Sequence, residues 1–268
     1  MPVASLPMYD LPELRAVTDA WWEGLAQAFR REGIADVPDS LDRRGAYHEV
    51  WRVPDLLFSQ TCGYPLTHAL TGRVELVATP CYAAEGCDGP SYCSFVIVKA
   101  DSAASAIGDL RGARCAVNGL DSQSGYNALR SVVAAVAGGE RFFGSVAITG
   151  SHRASLALVA SAQADVASVD CVTLGLLARH RPQALAGTRV LCRTASAPSL
   201  PYVTRAGADA DLLRRLRGGL ERAFADAGLV AVRDALLLKA AAVLPLAAYD
   251  RIGDMERSAI AAGYPKIA

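Results

Sequence analysis

"ARCAVNGLDSQSGYNALRSVVAAVA" (113–137) holds a short apolar run, a polar turn and a helical pattern in 25 residues. The apolar residues at 113–117 read as a buried strand, and those at 124–137 recur at helical spacing. Between them stand Asn118, Ser122, Ser124 and Gly125. One hydroxyl suffices to cap a helix, and Ser is a favoured N-cap residue. Two hydroxyls beside a glycine also suit a second role. A helix N-terminus carries free N–H groups and a partial positive charge, so it binds anions without a basic side chain. Gly125 would let a ligand oxygen approach the backbone closely. From these residues alone, a cap and an oxyanion cradle both stand.

Outward from this stretch, strands and helices alternate. Apolar strand patterns fall at 3–8, 55–60, 74–80, 92–100, 144–150, 164–170 and 188–195. Helical patterns fall at 11–33, 61–72, 151–163 and 171–182, with Trp21 and Trp22 on a core-facing stripe. After 207 the sequence reads as wholly helical, over 209–226, 228–238 and 246–262. This alternation predicts an α/β fold with mixed, mostly parallel sheets flanked by helices.

The chain has 268 residues, enough for two lobes. Hydrophobic residues make up 52% and charged residues 20%, with Lys plus Arg equal to Asp plus Glu at 27 each. That balance gives no general attraction to nucleic acid or to an anionic membrane, so an anion must be held by a local site. The longest apolar stretch, 235–248, is broken by Lys239 and Pro245 and is too short to span a bilayer. The N-terminal residues lack a basic region followed by an apolar run, which predicts a cytoplasmic protein; removal of a signal from an exported one would leave the same pattern.

Seven Cys (62, 81, 87, 93, 115, 171, 192) form an odd, scattered set, which argues for reduced thiols. No CxxC or HxxxH accompanies them, so neither a metal nor another cofactor is expected. Cys62 and Cys171 each stand at a helix start. There a thiolate could be stabilised, or a small apolar residue simply buried.

In open α/β sheets, ligands sit beyond the carboxyl ends of strands. Those positions hold Tyr9 and Asp10, then Ser59 and Thr61 with Gln60 and nearby Tyr64, then the 118–125 cradle, then Ser151, His152 and Ser155, then Asp170. His152 suits anion donation or a solvated cap region equally. Asp170 suits a helix cap or the cationic end of a ligand. Ser124, His152 and Asp170 are the residue types of a hydrolytic triad, but no GxSxG elbow is present and no catalytic residue is assigned.

The order "DLLFSQTCGY", "SYCSFVIVKADSAASAIGDLRGARCAVN", "SQSGYNALR", "GSHRASLALVASAQADVASVD" and "LPYVTRAGAD" resembles the periplasmic-binding-protein-like (type 2) family of phosphate, phosphite and phosphonate transporter components. The resemblance implies two α/β lobes joined by two crossing strands and closing on ligand by a hinge. Lobe one would hold 1–90 and, on the return, 200–268; lobe two would hold 91–199. It further implies a small oxyanion bound in the cleft by Ser122, Ser124, Gly125 and His152. Asp170 would meet an amine or hydroxyl, and Tyr9 and Tyr64 would serve as lobe-one aromatics. An ABC permease would be the partner. Gln123 stands where such cradles often carry Ser or Thr. The same fold also hosts cytosolic enzymes and ligand sensors, which form the alternative reading.

Overall fold

The computed structural model describes residues 2–268. The strands are β1 (Val3–Ser5), β2 (Leu56–Gln60), β3 (Val74–Tyr82), β4 (Ser91–Tyr92), β5 (Ser94–Lys99), β6 (Arg114–Val117), β7 (Ser145–Ile148), β8 (Val166–Asp170), β9 (Thr188–Arg193), β10 (Ala197–Pro198), β11 (Tyr202–Arg205) and β12 (Leu238–Ala242). The α-helices are α1 (Arg15–Arg31), α2 (Tyr47–Val50), α3 (Gly63–Thr67), α4 (Ala128–Ala137), α5 (His152–Ala160), α6 (Cys171–His180), α7 (Ala210–Ala225), α8 (Val230–Ala235) and α9 (Asp250–Ala261). The chain divides into two units. Unit one is Met1–Ala83, Asp88–Pro90 and Pro198–Ala248, and unit two is Ala84–Cys87, Ser91–Ala197 and Tyr249–Ala268. Residues 249–268, expected in lobe one, thus group with unit two. Tyr264 and Ile267 are buried in its core, and Arg130 in α4 pairs with Glu256 at 2.9 Å.

Unit one carries a five-stranded sheet in the order β1-β2-β11-β3-β12. Only β1 and β2 run parallel; β11 is antiparallel to β2 and β3, and β12 to β3. The sheet is therefore mixed as expected but less parallel, because β11 inserts between two strands of the opening β/α pattern. β11 and β12 both lie in the region read as helical or irregular. Residues 238–242, Leu-Lys-Ala-Ala-Ala, have helical propensity. The chain leaves α8 through Leu237 at φ 57°, a left-handed conformation that ends the helix and turns the backbone into the strand. Pairing with β3 then overrides local preference.

The core of unit one is aromatic. Trp22, Phe29, Phe58 and Tyr202 are buried, and the Phe58 ring lies 6.3 Å from Trp22, 5.1 Å from Phe29 and 4.9 Å from Tyr202. The helical stripe thus meets the middle of β2, whose five residues are all buried. α7 packs closely here: a Cβ at Gly219 would stand 2.3 Å from Phe29 Cδ1.

Unit two carries the order β7-β6-β8-β5-β9. β7, β6 and β8 are parallel, joined by crossover helices α4 and α5, while β5 is antiparallel to β8 and β9. Val96, Val117, Leu129, Val133, Phe142 and Phe143 are central to its core. β4 and β10 form a separate two-stranded ladder.

All three tryptophans (21, 22 and 51) belong to unit one, so their fluorescence reports its unfolding alone. Phe58→Ala should lower the stability read this way by about 3–5 kcal/mol, measured by urea denaturation. A change below about 1 kcal/mol would show that Phe58 does not centre this core.

Candidate functional site

The stretch that opened the analysis builds the site in unit two. The backbone turns at Ser122, which is extended at φ −88°, ψ 127°, and enters the helix. Ser122 Oγ accepts from the Gly125 amide at 3.0 Å, an ordinary N-cap. The first turn is wide: Asn127 N–H donates to the Ser122 carbonyl and Ala128 N–H to the Gln123 carbonyl, each five residues back. Such widened turns are uncommon and occur often at functional sites.

A buried polar network holds the widened turn. Asn127 Nδ2 donates to Gln123 Oε1 at 2.7 Å and to the Ile252 carbonyl at 3.0 Å. Arg130 donates to Asn127 Oδ1 at 2.6 Å and to the Pro265 carbonyl at 2.9 Å. Gln123 Nε2 lies 3.2 Å from Met255 Sδ. The Gln123 side chain is therefore committed to α9.

Ser124 Oγ lies 3.4 Å from Ser122 Oγ and 2.8 Å from His152 Nε2. His152 is the first residue of α5, capped by Ser151 Oγ, which accepts from Ala154 N at 3.1 Å. Asp170 ends β8 and caps α6: Oδ1 accepts from Thr173 N at 2.8 Å and Oδ2 from Thr173 Oγ1 at 2.5 Å. Asp170 Oδ2 also lies 3.3 Å from His152 Nε2. Ser168 Oγ donates to the Ser124 carbonyl at 2.7 Å, joining β8 to the cradle.

This geometry is not a hydrolytic triad. In a triad, the serine and the carboxylate engage opposite nitrogens of the imidazole. Here both meet Nε2. A carboxylate only accepts, so in the tautomer that places the ring proton on Nε2 this nitrogen is a donor to its neighbours. That nitrogen then cannot take a proton from Ser124. It donates, and Ser124 keeps its own hydroxyl hydrogen for another acceptor.

Two polar atoms beside this cluster are buried without a hydrogen bond: Asn118 Oδ1 and His152 Nδ1. Buried polar groups are rarely left so. Both side chains converge on Gly125. A Cβ there would stand 1.8 Å from Asn118 Oδ1 and 3.1 Å from His152 Cε1. Burial holds the His152 pKa below its ordinary value, while Asp170 and the Ser168 carbonyl pull the other way.

The structure thus brings Asn118, Ser122, Ser124, Gly125, His152 and Asp170 together. One expected donor is occupied, the Gly125 amide by Ser122 Oγ, and the exposed Ser151 hydroxyl serves as cap acceptor for Ala154 N. Asp170 is a cap, as its residue type allowed. Ser168 and Thr173 went unnoticed in the sequence. Ser168 stands two residues before Asp170, hence on the same strand face. Thr173 completes an Asp-x-x-Thr helix start.

The remaining candidates belong to unit one. Tyr9 is buried and packs edge-on to Tyr82 at 5.4 Å, beside a pocket of about 30 Å³ also lined by Leu6, Trp21, Gln60 and Tyr202. Gln60 Nε2 donates to Tyr82 Oη at 2.9 Å and to the Leu200 carbonyl at 3.0 Å. Ser59 and Thr61 are fully buried, and Thr61 Oγ1 donates to the Cys62 carbonyl at 3.3 Å. Tyr64 is half-buried and stacks on His68 with ring centres 3.9 Å apart.

Among the described residues no group of three His, Cys, Asp or Glu side chains is arranged to hold a metal, and no helix is long and apolar enough to cross a membrane.

The depressed His152 pKa sets a sign. Between the folded and unfolded pKa values the unfolded chain holds more protons, so stability falls as the pH drops below about 6.5. The slope from this one group is at most about 1.4 kcal/mol per pH unit. His152→Gln should flatten the stability profile between pH 7 and pH 5 relative to the parent, read by far-UV circular dichroism in urea. Equal slopes would remove His152 as the cause. Gly125→Ala should displace the Asn118 side chain and weaken anion binding tenfold or more in calorimetry while the protein stays folded; retained affinity would show that this close approach does not shape the site.

Comparison with known proteins gives the following. The profile of the family described as "ABC transporter, phosphonate, periplasmic substrate-binding protein" matches residues 54–239. No curated protein matches the sequence. Among solved structures, a binding-protein component of a phosphonate ABC transporter from Pseudomonas aeruginosa is similar at TM-score 0.77 and 18% identity, covering 97% of this chain and 89% of that one. A phosphonate-binding protein from Prochlorococcus marinus in complex with methylphosphonate is similar at TM-score 0.76 and 15% identity, covering 96% and 97%. A Xanthomonas citri protein bound to ATP is similar at TM-score 0.70 and 17% identity, covering 97% of each chain. These likenesses establish the two-unit α/β fold as that of periplasmic-binding-protein-like chains. With the profile covering well over half its residues, the chain belongs to the periplasmic substrate-binding proteins of phosphonate ABC transporters.

Proposed function

We propose that this protein binds a small phosphonate or phosphate-like oxyanion at the 118–125 cradle and delivers it to an ABC permease. The pair of buried serine hydroxyls at the widened helix start, Ser122 Oγ and Ser124 Oγ 3.4 Å apart, carries this reading. The helix start adds amides and a partial positive charge. His152 Nε2, 2.8 Å from Ser124 Oγ and 3.3 Å from Asp170 Oδ2, orients the Ser124 hydroxyl.

The donors are nearly all neutral. They stabilise a charge already present on the ligand rather than one that develops during a reaction, which is the requirement for binding rather than turnover. Ser124 and Asp170 both meet His152 at Nε2, which supports binding over a triad hydrolase. The family is a periplasmic one, which favours export over the cytoplasmic reading. Tyr9 and Tyr64 remain the aromatic candidates from unit one, and the methylphosphonate held by the Prochlorococcus protein indicates the size of ligand to try first.

Calorimetry with methylphosphonate, phosphate and sulfate tests the proposal. Ser124→Ala removes a donor to a charged acceptor and should cost about 1.5–3 kcal/mol, a tenfold or greater loss of affinity. Ser122→Ala should cost affinity and also helix stability, since Ser122 caps the turn. If the parent binds one of these anions and both variants bind it unchanged, the cradle is not the site.

A further inference from the structure

Three of the seven cysteines meet in unit two. Cys87 Sγ lies 3.4 Å from Cys171 Sγ, although the residues are 84 apart in sequence. The Cys93 thiol is hydrogen-bonded to Cys171, and the Cys171 amide donates to the Cys93 carbonyl at 3.0 Å. Gly86 makes room for the cluster: a Cβ there would stand 2.7 Å from Cys93 Sγ and 3.1 Å from Cys171 Cβ. Its φ of +92° is one that few other residues adopt. Cys93 and Cys171 are fully buried, while Cys87 is partly exposed. Cys171 is the first residue of α6, directly after Asp170.

We propose that this cluster is a redox site whose oxidised form is a Cys87–Cys171 disulfide, with Cys87 as the solvent-facing entry and Cys93 as a spectator thiol. The inference stands apart from the ligand reading. The co-reactant is a low-molecular-weight disulfide. The Cys87 thiolate attacks one of its sulfurs, forming a mixed disulfide and releasing one small thiolate. The Cys171 thiolate then attacks the Cys87 sulfur and releases the second. The protons of the two cysteines pass to the released thiolates. The protein loses two protons and two electrons, and the reagent is reduced to two thiols.

Exposure fixes the order of attack, since Cys87 is the one thiol of the three that is partly exposed. The hydrogen bond with Cys87, and then burial, hold the Cys171 thiol above its ordinary pKa while Cys93 pulls the other way, so the second step should be the slower one and should accelerate with rising pH. A periplasmic setting is oxidising, and thiols already in contact do not stay reduced there. The link would tie the 84–87 segment to the start of α6, beside the carboxylate that meets His152.

The test is incubation of the reduced full chain with glutathione disulfide. Trapping with an alkylating agent, intact mass spectrometry and a peptide map follow. Parent protein should lose two hydrogens and carry a Cys87–Cys171 link. Cys93→Ser should form the same link. Cys171→Ser should stop with one glutathione on Cys87, and Cys87→Ser should form neither product. Should a variant fail to fold by circular dichroism, the map of the parent decides by itself. A parent that keeps all seven thiols, or whose principal link joins Cys93 to Cys171, overturns the proposal.

Discussion

Arg130 is the constraint on which the site depends. Its side chain is 3% exposed, and a buried guanidinium is tolerated only when paired and hydrogen-bonded. Asn127, the Pro265 carbonyl and Glu256 supply those partners. One cation thereby gathers the cradle helix, α9 and the C-terminal segment. Asn127 transmits the restraint, because its amide is shared between Arg130, Gln123 and the Ile252 carbonyl. The widened first turn is therefore held from behind. The segment 249–268 groups with unit two for the same reason.

What this support presents is a set of donors with little charge of its own. On the proposed reading, affinity for an anion comes from direction: hydroxyls and helix amides aimed at one place. Directional donors fail when the backbone shifts slightly, which explains why a buried network stands behind the turn and why Gly125 allows nothing larger than hydrogen beside Asn118. The same economy of charge fits the whole chain, whose basic and acidic residues balance.

Much of this was legible in the sequence because its signals are local. The strand at 113–117, the helix start at Ser122 and the caps at Ser151 and Asp170 follow from residue type and spacing. The core role of Trp21 and Trp22 follows from helical periodicity. The misread parts are those decided by distant partners. Residues 238–242 look helical until a left-handed Leu237 and pairing with β3 make them a strand. Alternation of strands and helices suggests parallel pairing, but nothing local reveals that β11 returns between β2 and β3. The thiol cluster was hidden likewise, since Cys87 and Cys171 are neighbours only through the fold.

Gln123 shows how one residue type can be read in two opposite ways. At a cradle position a longer amide suggests a new donor facing the ligand. The structure turns it around: both ends of the Gln123 amide are engaged, Oε1 by Asn127 and Nε2 near Met255. The cradle does not gain an amide here; it forgoes a hydroxyl. Asn118 Oδ1, reaching the same spot from the end of β6, is a buried acceptor without a hydrogen bond, and so is His152 Nδ1 when the ring proton sits on Nε2. The hydroxyls of the helix start thus stand beside a group of acceptors at the strand ends, where the fold collects Asn118, His152 and Asp170. A ligand with an oxyanion at one end and a hydroxyl or amine at the other would meet both parts of that set.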